Sequence, residues 1–115
     1  MGRLTTHVLD TAHGAPAAGM TVRLFRCDSA RQLVGSFSTN QDGRLDAPLL
    51  DDAAFRPGQY ALEFDVADYF RARDVELPTP PFLDTVTLDV GLGTDDRYHV
   101  PLLVSPWSYS TYRGS

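Results

Sequence analysis

The chain has 115 residues and a mass of 12.7 kDa, 43 % hydrophobic and 22 % charged. That is the size and balance of one compact domain and excludes a disordered or fibrous protein. A formal net charge of −5 and a pI near 4.9 argue against nucleic acid or an anionic membrane as the main partner.

No run approaches the ~20 consecutive apolar residues needed to cross a bilayer. The opening Met1 to His7 has no apolar core of the kind a signal peptide requires, so the chain reads as cytoplasmic. A single cysteine, Cys27, excludes an internal disulfide and a Cys-built zinc cage; in a strand it is expected as a small buried side chain. All 10 basic residues are arginine, and of the 15 acids only Glu63 and Glu76 are not aspartate. Scarcity of Lys and Glu, both good helix formers, lowers the expectation of helix.

The dominant period is two. Leu4, Thr6 and Val8 alternate with Thr5, His7 and Leu9, a strand ended by Asp10 and the Gly14/Pro16 turn. Met20, Val22 and Leu24 set a second strand, and Leu33, Gly35 and Phe37 a third. Asn40-Gln41-Asp42-Gly43 is a turn by composition, with Gly43 suited to positive φ, and a short fourth strand is expected near Arg44. Tyr60, Leu62 and Phe64 alternate again after Arg56-Pro57-Gly58. Val66, Ala67, Tyr69, Phe70 and Arg73 then suit one or two helical turns, stopped by Pro78, Pro80 and Pro81. Val86, Leu88 and Val90 return to period two, Tyr98 to Val104 forms another strand, and Ser108 to Tyr112 closes the chain.

Seven or eight short strands with one short helix predict an all-β antiparallel sandwich, one domain over residues 1–115. The closing segment is unusually apolar for a chain end, with Leu102, Leu103, Val104, Trp107, Tyr109 and Tyr112. Termini fray unless something holds them, so burial against another subunit is expected.

Few groups here work as acids or bases near neutral pH. His13 sits beside Gly14 and reads as a solvated loop residue. His7 and His99 lie mid-strand, where a structural role is the default and a shared face would make them a catalytic pair. Arg44 follows a turn at a strand start, either as a surface arginine or as a planar fork for a carboxylate, enolate or imide-like edge. The tail Tyr112-Arg113-Gly114-Ser115 offers a phenol, a guanidinium and a hydroxyl within four residues. There is no phosphate loop, HExxH helix or Gly-x-Ser-x-Gly elbow. Cys27 has no activating neighbours, and the histidines lack diagnostic zinc spacing.

Three segments together carry a resemblance. Leu4-Thr5-Thr6-His7-Val8-Leu9-Asp10-Thr11-Ala12 with Gly14-Ala15-Pro16-Ala17, then Thr39 to Arg44, and then Tyr98 to Pro106 with Tyr109 to Ser115, are similar to the signatures of the transthyretin-like 5-hydroxyisourate hydrolases. The closing tetrapeptide is the most specific part, because it separates the hydrolases from the hormone carrier of the same fold. The resemblance implies a prealbumin-type sandwich, a homotetramer built as a dimer of dimers, and active sites in the channel between dimers. It implies hydrolysis of 5-hydroxyisourate to 2-oxo-4-hydroxy-4-carboxy-5-ureidoimidazoline without metal or cofactor. Carried over by position, the catalytic residues are His7, Arg44, His99 and Ser115, with Arg44, Tyr112, Arg113 and Gly114 binding substrate. Which histidine is the base stays open. The chain departs from the family at Leu83-Asp84 and in a loosely matching loop over Gly91 to Arg97. Rival readings are a non-enzymatic carrier of small aromatic ligands, an adhesive sandwich without a pocket, and a histidine-based zinc hydrolase.

Overall fold

The computed structural model describes residues 2–114. Strands β1 (Arg3–Asp10), β2 (Ala15–Pro16), β3 (Thr21–Cys27), β4 (Arg31–Ser38) and β5 (Gly58–Asp65) precede helix α1 (Val66–Ala72). Strands β6 (Thr85–Leu92), β7 (Arg97–Val104) and β8 (Tyr109–Thr111) follow it. Two four-stranded sheets form, ordered β2-β1-β7-β8 and β4-β3-β5-β6. Between them lie Leu4, Val8, Met20, Val22, Leu24, Leu62, Phe64, Phe70 and Leu102, all with no solvent exposure.

Alternation in β1 and β7 decides which side chains enter that core. Leu4, Thr6, Val8 and Asp10 point inward from β1, as do Tyr98, Val100, Leu102 and Val104 from β7. Their two hydroxyls are satisfied: Thr6 Oγ1 donates to the Val100 carbonyl at 2.7 Å, and the Tyr98 hydroxyl donates to the Thr94 carbonyl at 3.1 Å. The alternate residues, His7 and His99 among them, stand on the outer face of this sheet.

Several elements differ from the sequence expectation. The sandwich is not wholly antiparallel: β1 and β7 pair in parallel, Arg3 opposite Arg97 through Asp10 opposite Val104. Period two fixes which face a side chain takes and is silent on the direction of the neighbouring strand; here the whole second sheet serves as the long crossover that parallel pairing needs. The expected turn at Gly14/Pro16 contains a two-residue strand, β2, that covers the end of β1. No strand begins at Arg44. Instead residues 43–50 line the edge of β1 through single bridges, His7 with Arg44 and Leu4 with Leu50. The Val8 amide donates to the Gly43 carbonyl at 2.8 Å, and the Leu4 amide to the Leu50 carbonyl at 2.9 Å. Gly43 has φ +74°, and a Cβ there would lie 2.3 Å from the Val8 carbonyl oxygen, so only glycine lets this turn press against β1. The loop expected over Gly91 to Arg97 shrinks to residues 93–96, because β6 and β7 take its ends. Cys27 is half-buried rather than enclosed. Leu102 and Val104 bury in their own core and need no second subunit, while Trp107, Tyr109 and Tyr112 are exposed.

Helix α1 begins where Asp65 leaves β5. Asp65 makes no side-chain cap; its carboxylate takes the Arg23 guanidinium, and the first helical amides, Val66 and Ala67, donate to the Asp84 carbonyl at 3.1 and 3.0 Å. Its inner face is anchored by Asp10, at the end of β1. The buried Asp10 carboxylate accepts from the Tyr69 hydroxyl at 2.8 Å, the His13 amide at 2.9 Å and the His13 ring Nδ1–H at 2.6 Å. Burial pushes the Asp10 carboxyl upward, but these three donors outweigh it and hold it below the usual carboxylate range. The same burial, with Asp10 as partner, pushes the Tyr69 phenol up to about 12. His13 is exposed in its turn, as expected of a loop histidine, and it also closes this node and stacks on Phe70, with ring centroids 6.3 Å apart. The node fixes the C-terminal end of β1, three residues beyond His7.

Candidate active site

Four chain segments meet across the outer face of the first sheet. Arg44 pairs with His7 on one edge of β1; Thr5 stands opposite His99 across the parallel ladder; Gly114 pairs with His99 on the far side of β7. Residues facing each other across a ladder share a face, so Arg44 with His7, and Thr5 with His99 and Gly114, occupy two neighbouring rungs of the same face. Ideal strand spacing puts the Cα atoms of His7 and His99 about 8 Å apart, room for a small planar ring between their imidazoles.

Each imidazole is held from behind. The His99 Nδ1 lies 2.8 Å from the Thr5 hydroxyl, which leaves Nε2 turned away from β1. The His7 Nε2–H donates to the Asp42 carbonyl at 2.9 Å, which leaves Nδ1 as its free ring nitrogen. The acceptor there is an oxygen without a proton, so the tautomer follows from the bond. His99 is half-buried and its pKa lies below the ordinary imidazole value. Burial is the main cause, and the nearby charges of Arg44 and His7 add to it. At neutral pH the His99 ring is therefore uncharged and basic.

A cleft of about 470 Å³ opens on this face, lined by Arg3, Thr5, Arg44, Arg97, Tyr98 and His99. That volume suits a small planar ligand. His7 stands beside it on the same face rather than in its lining. A smaller recess of about 180 Å³, lined by Thr5, Thr6, Arg44, Leu45, Asp46, Ala47 and Pro48, continues past Arg44.

The tail divides between two sides. Gly114 lies against His99: its amide donates to the His99 carbonyl at 2.7 Å, and an added Cβ would stand 2.8 Å from the ring Cδ2. Arg113 lies over the Tyr98 ring, 4.3 Å from its centroid, and donates to Asp96 at 3.2 Å and the Arg97 carbonyl at 3.3 Å. It braces the wall of the cleft from behind. Tyr112 faces a different groove, about 550 Å³ and mostly apolar, with Val90, Leu92, Val100 and Thr111. Ser115 lies outside the described residues.

Sequence reasoning did not single out Thr5, the Asp42 carbonyl, Arg3, Arg97 or the Asp96 brace. Thr5 and Arg3 precede His7 by two and four residues, so the period-two face already held that signal. Arg97 stands likewise two before His99. Regarding the zinc alternative, no three His, Cys, Asp or Glu side chains gather as a metal site would require among the described residues.

Comparison with known proteins bears on what this face does. The model of the HIUase/Transthyretin family matches residues 4–114. A 5-hydroxyisourate hydrolase of Pseudomonas aeruginosa is 56 % identical over 117 residues, covering 100 % of this chain and 93 % of that protein. The structure of Klebsiella pneumoniae 5-hydroxyisourate hydrolase superposes with a TM-score of 0.84 at 32 % identity, covering 100 % of both chains. The crystal structure of an (S)-allantoin synthase superposes with a TM-score of 0.94 at 50 % identity; it covers 99 % of this chain, which spans only 44 % of that longer one.

Proposed function

The chain belongs to the HIUase/transthyretin family, and from that premise we propose that its cleft hydrolyses 5-hydroxyisourate to 2-oxo-4-hydroxy-4-carboxy-5-ureidoimidazoline. One observation supports this most: two imidazoles from opposite ends of the chain share one sheet face with a guanidinium between the turn and the cleft.

The hydrogen bonds support the following roles. His99 is the general base. In the tautomer whose Nδ1–H faces Thr5 Oγ1, 2.8 Å away, its Nε2 lone pair takes a proton from water as that water attacks a ring carbonyl. Arg44 faces the polar edge of the ring and opposes the negative charge that grows on the attacked oxygen. His7, its Nε2–H held by the Asp42 carbonyl, accepts from the water at Nδ1 and orients it; when the ring C–N bond breaks, the protonated His99 returns its proton to the departing nitrogen. Gly114 leaves room for the His99 ring, and Arg113 braces the cleft wall through Tyr98 and Asp96. The lining, rich in arginine and imidazole, is unsuited to a carrier of hydrophobic ligands.

The working unit we propose is a homotetramer, a dimer of dimers, in which the exposed Trp107, Tyr109 and Tyr112 are covered by other copies. No helix among the described residues is long and apolar enough to cross a membrane. The proposed compartment is the cytoplasm, where the free thiol of Cys27 would stay reduced.

The direct test generates 5-hydroxyisourate from urate with urate oxidase and follows its ultraviolet absorbance. The decay is expected to accelerate in proportion to added protein; a decay unaffected by protein would overturn the reading. A second variant probes the fit at His99. Gly114→Ala presses its methyl on the ring, and the displacement should lower kcat roughly ten- to hundredfold while the melting temperature stays near wild type.

A further inference from the structure

We propose that Arg3 and Arg97 form a cationic pair that captures the anionic substrate and holds it against Arg44 and His99, acting as positioning residues rather than in proton transfer. This rests on the hydrolase reading above and adds to it residues that the family signature does not include.

The β1–β7 register sets Arg3 directly opposite Arg97 on the outer face, one rung below Thr5 and His99. Like charges facing each other across a ladder destabilise a sheet. Such a pair is ordinarily relieved by a carboxylate, and elsewhere this chain provides one: Arg23, Arg26 and Arg31 each take an Asp or Glu. At Arg3 and Arg97 no ion pair forms among the described residues, and Asp96, the acid next to Arg97 in the chain, is taken by Arg113. Both line the cleft, and among the described residues no carboxylate shares that lining. In a chain of net charge −5, three guanidiniums facing one cavity make a local field opposite in sign to that of the whole.

An acidic planar ring with several carbonyls fits that field. Two arginine forks side by side accept an anionic edge, while Arg44 meets the opposite edge near the reacting carbonyl. Neither Arg3 nor Arg97 gives up a proton at working pH, so neither can serve as acid or base. Their contribution is to binding and to the rate of productive encounter.

The test uses the full chain with Arg3→Gln and Arg97→Gln combined, beside an Arg3→Lys/Arg97→Lys control that keeps charge. The Gln pair should lower kcat/KM by roughly tenfold or more while kcat stays within about twofold, and should flatten the fall of kcat/KM with ionic strength. The Lys pair should recover most of the loss. Urate, a stable anionic ring of similar size, should bind the Gln pair roughly tenfold more weakly by calorimetry. That binding readout does not depend on turnover: weakened urate binding in a protein that failed to hydrolyse 5-hydroxyisourate would keep this inference and discard the hydrolase reading. Unchanged kcat/KM and urate affinity would overturn the inference, as would a loss confined to kcat.

Discussion

Replacing His99 with asparagine should leave a folded protein whose kcat is lower by roughly 10²- to 10⁴-fold, the usual contribution of a positioned general base. Fold survives because the ring stands on the outer face of β7 and fills no part of the core. An asparagine amide can still donate to the Thr5 hydroxyl, so the local backbone has no reason to move. What disappears is the lone pair that takes the water proton. The pH profile separates this loss from a packing defect. In the wild type, His99 becomes inactive as pH falls through its own pKa, and that pKa is depressed by burial, Arg44 and His7. The acid limb of kcat/KM should therefore lie below the ordinary imidazole range, with activity persisting into mildly acidic buffer. In His99→Asn that limb should vanish from what activity remains. Near-native turnover in this variant would remove His99 from the mechanism.

Why the imidazoles converge was partly readable before any coordinates. Alternation puts Leu4 and Val8 on one face of β1 and His7 on the other, and the same rule sends His99 outward from β7 while Val100 goes in. Neither pattern says that β1 and β7 are neighbours, since pairing partners 94 residues apart leave no local trace. Nor does it say that they run parallel, and only that direction sets Thr5 beside His99. Arg44 was legible as a residue emerging from a turn, yet no strand follows it, because one bridge and the carbonyl of Gly43 suffice to hold it at the edge of β1. Asp10 and His13 read as the polar end of a strand and a loop residue. Their role depends on Tyr69 arriving from a helix 59 residues away, which composition cannot supply. The same holds for Arg3 and Arg97, two unremarkable surface arginines until the register sets them face to face.

Arg44→Gln should cost nearly as much as loss of the base, by a different route, and the difference is measurable. Removing a group that opposes developing negative charge typically lowers turnover by roughly 10²- to 10³-fold, and glutamine retains neither the charge nor the two-pronged donor. Stability should change little, because the backbone at this position is fixed by Gly43 at φ +74° and by the bridge to His7, not by the guanidinium. The diagnostic effect is on His99. Arg44 is the largest charge holding that ring neutral, after burial itself. Without it the His99 pKa rises toward the ordinary imidazole value, so the acid limb of the residual activity should move to higher pH. Burial, Arg44 and His7 are the causes of the His99 depression, so the glutamine variants of Arg3 and Arg97 should lower kcat/KM with the limb moved less than in Arg44→Gln. Arg44→Lys should restore the limb, since it restores the charge, while recovering only part of the turnover, since an ammonium lacks the planar fork. An acid limb that stays put in Arg44→Gln would mean the guanidinium is not close enough to His99 to act on the same reacting ring.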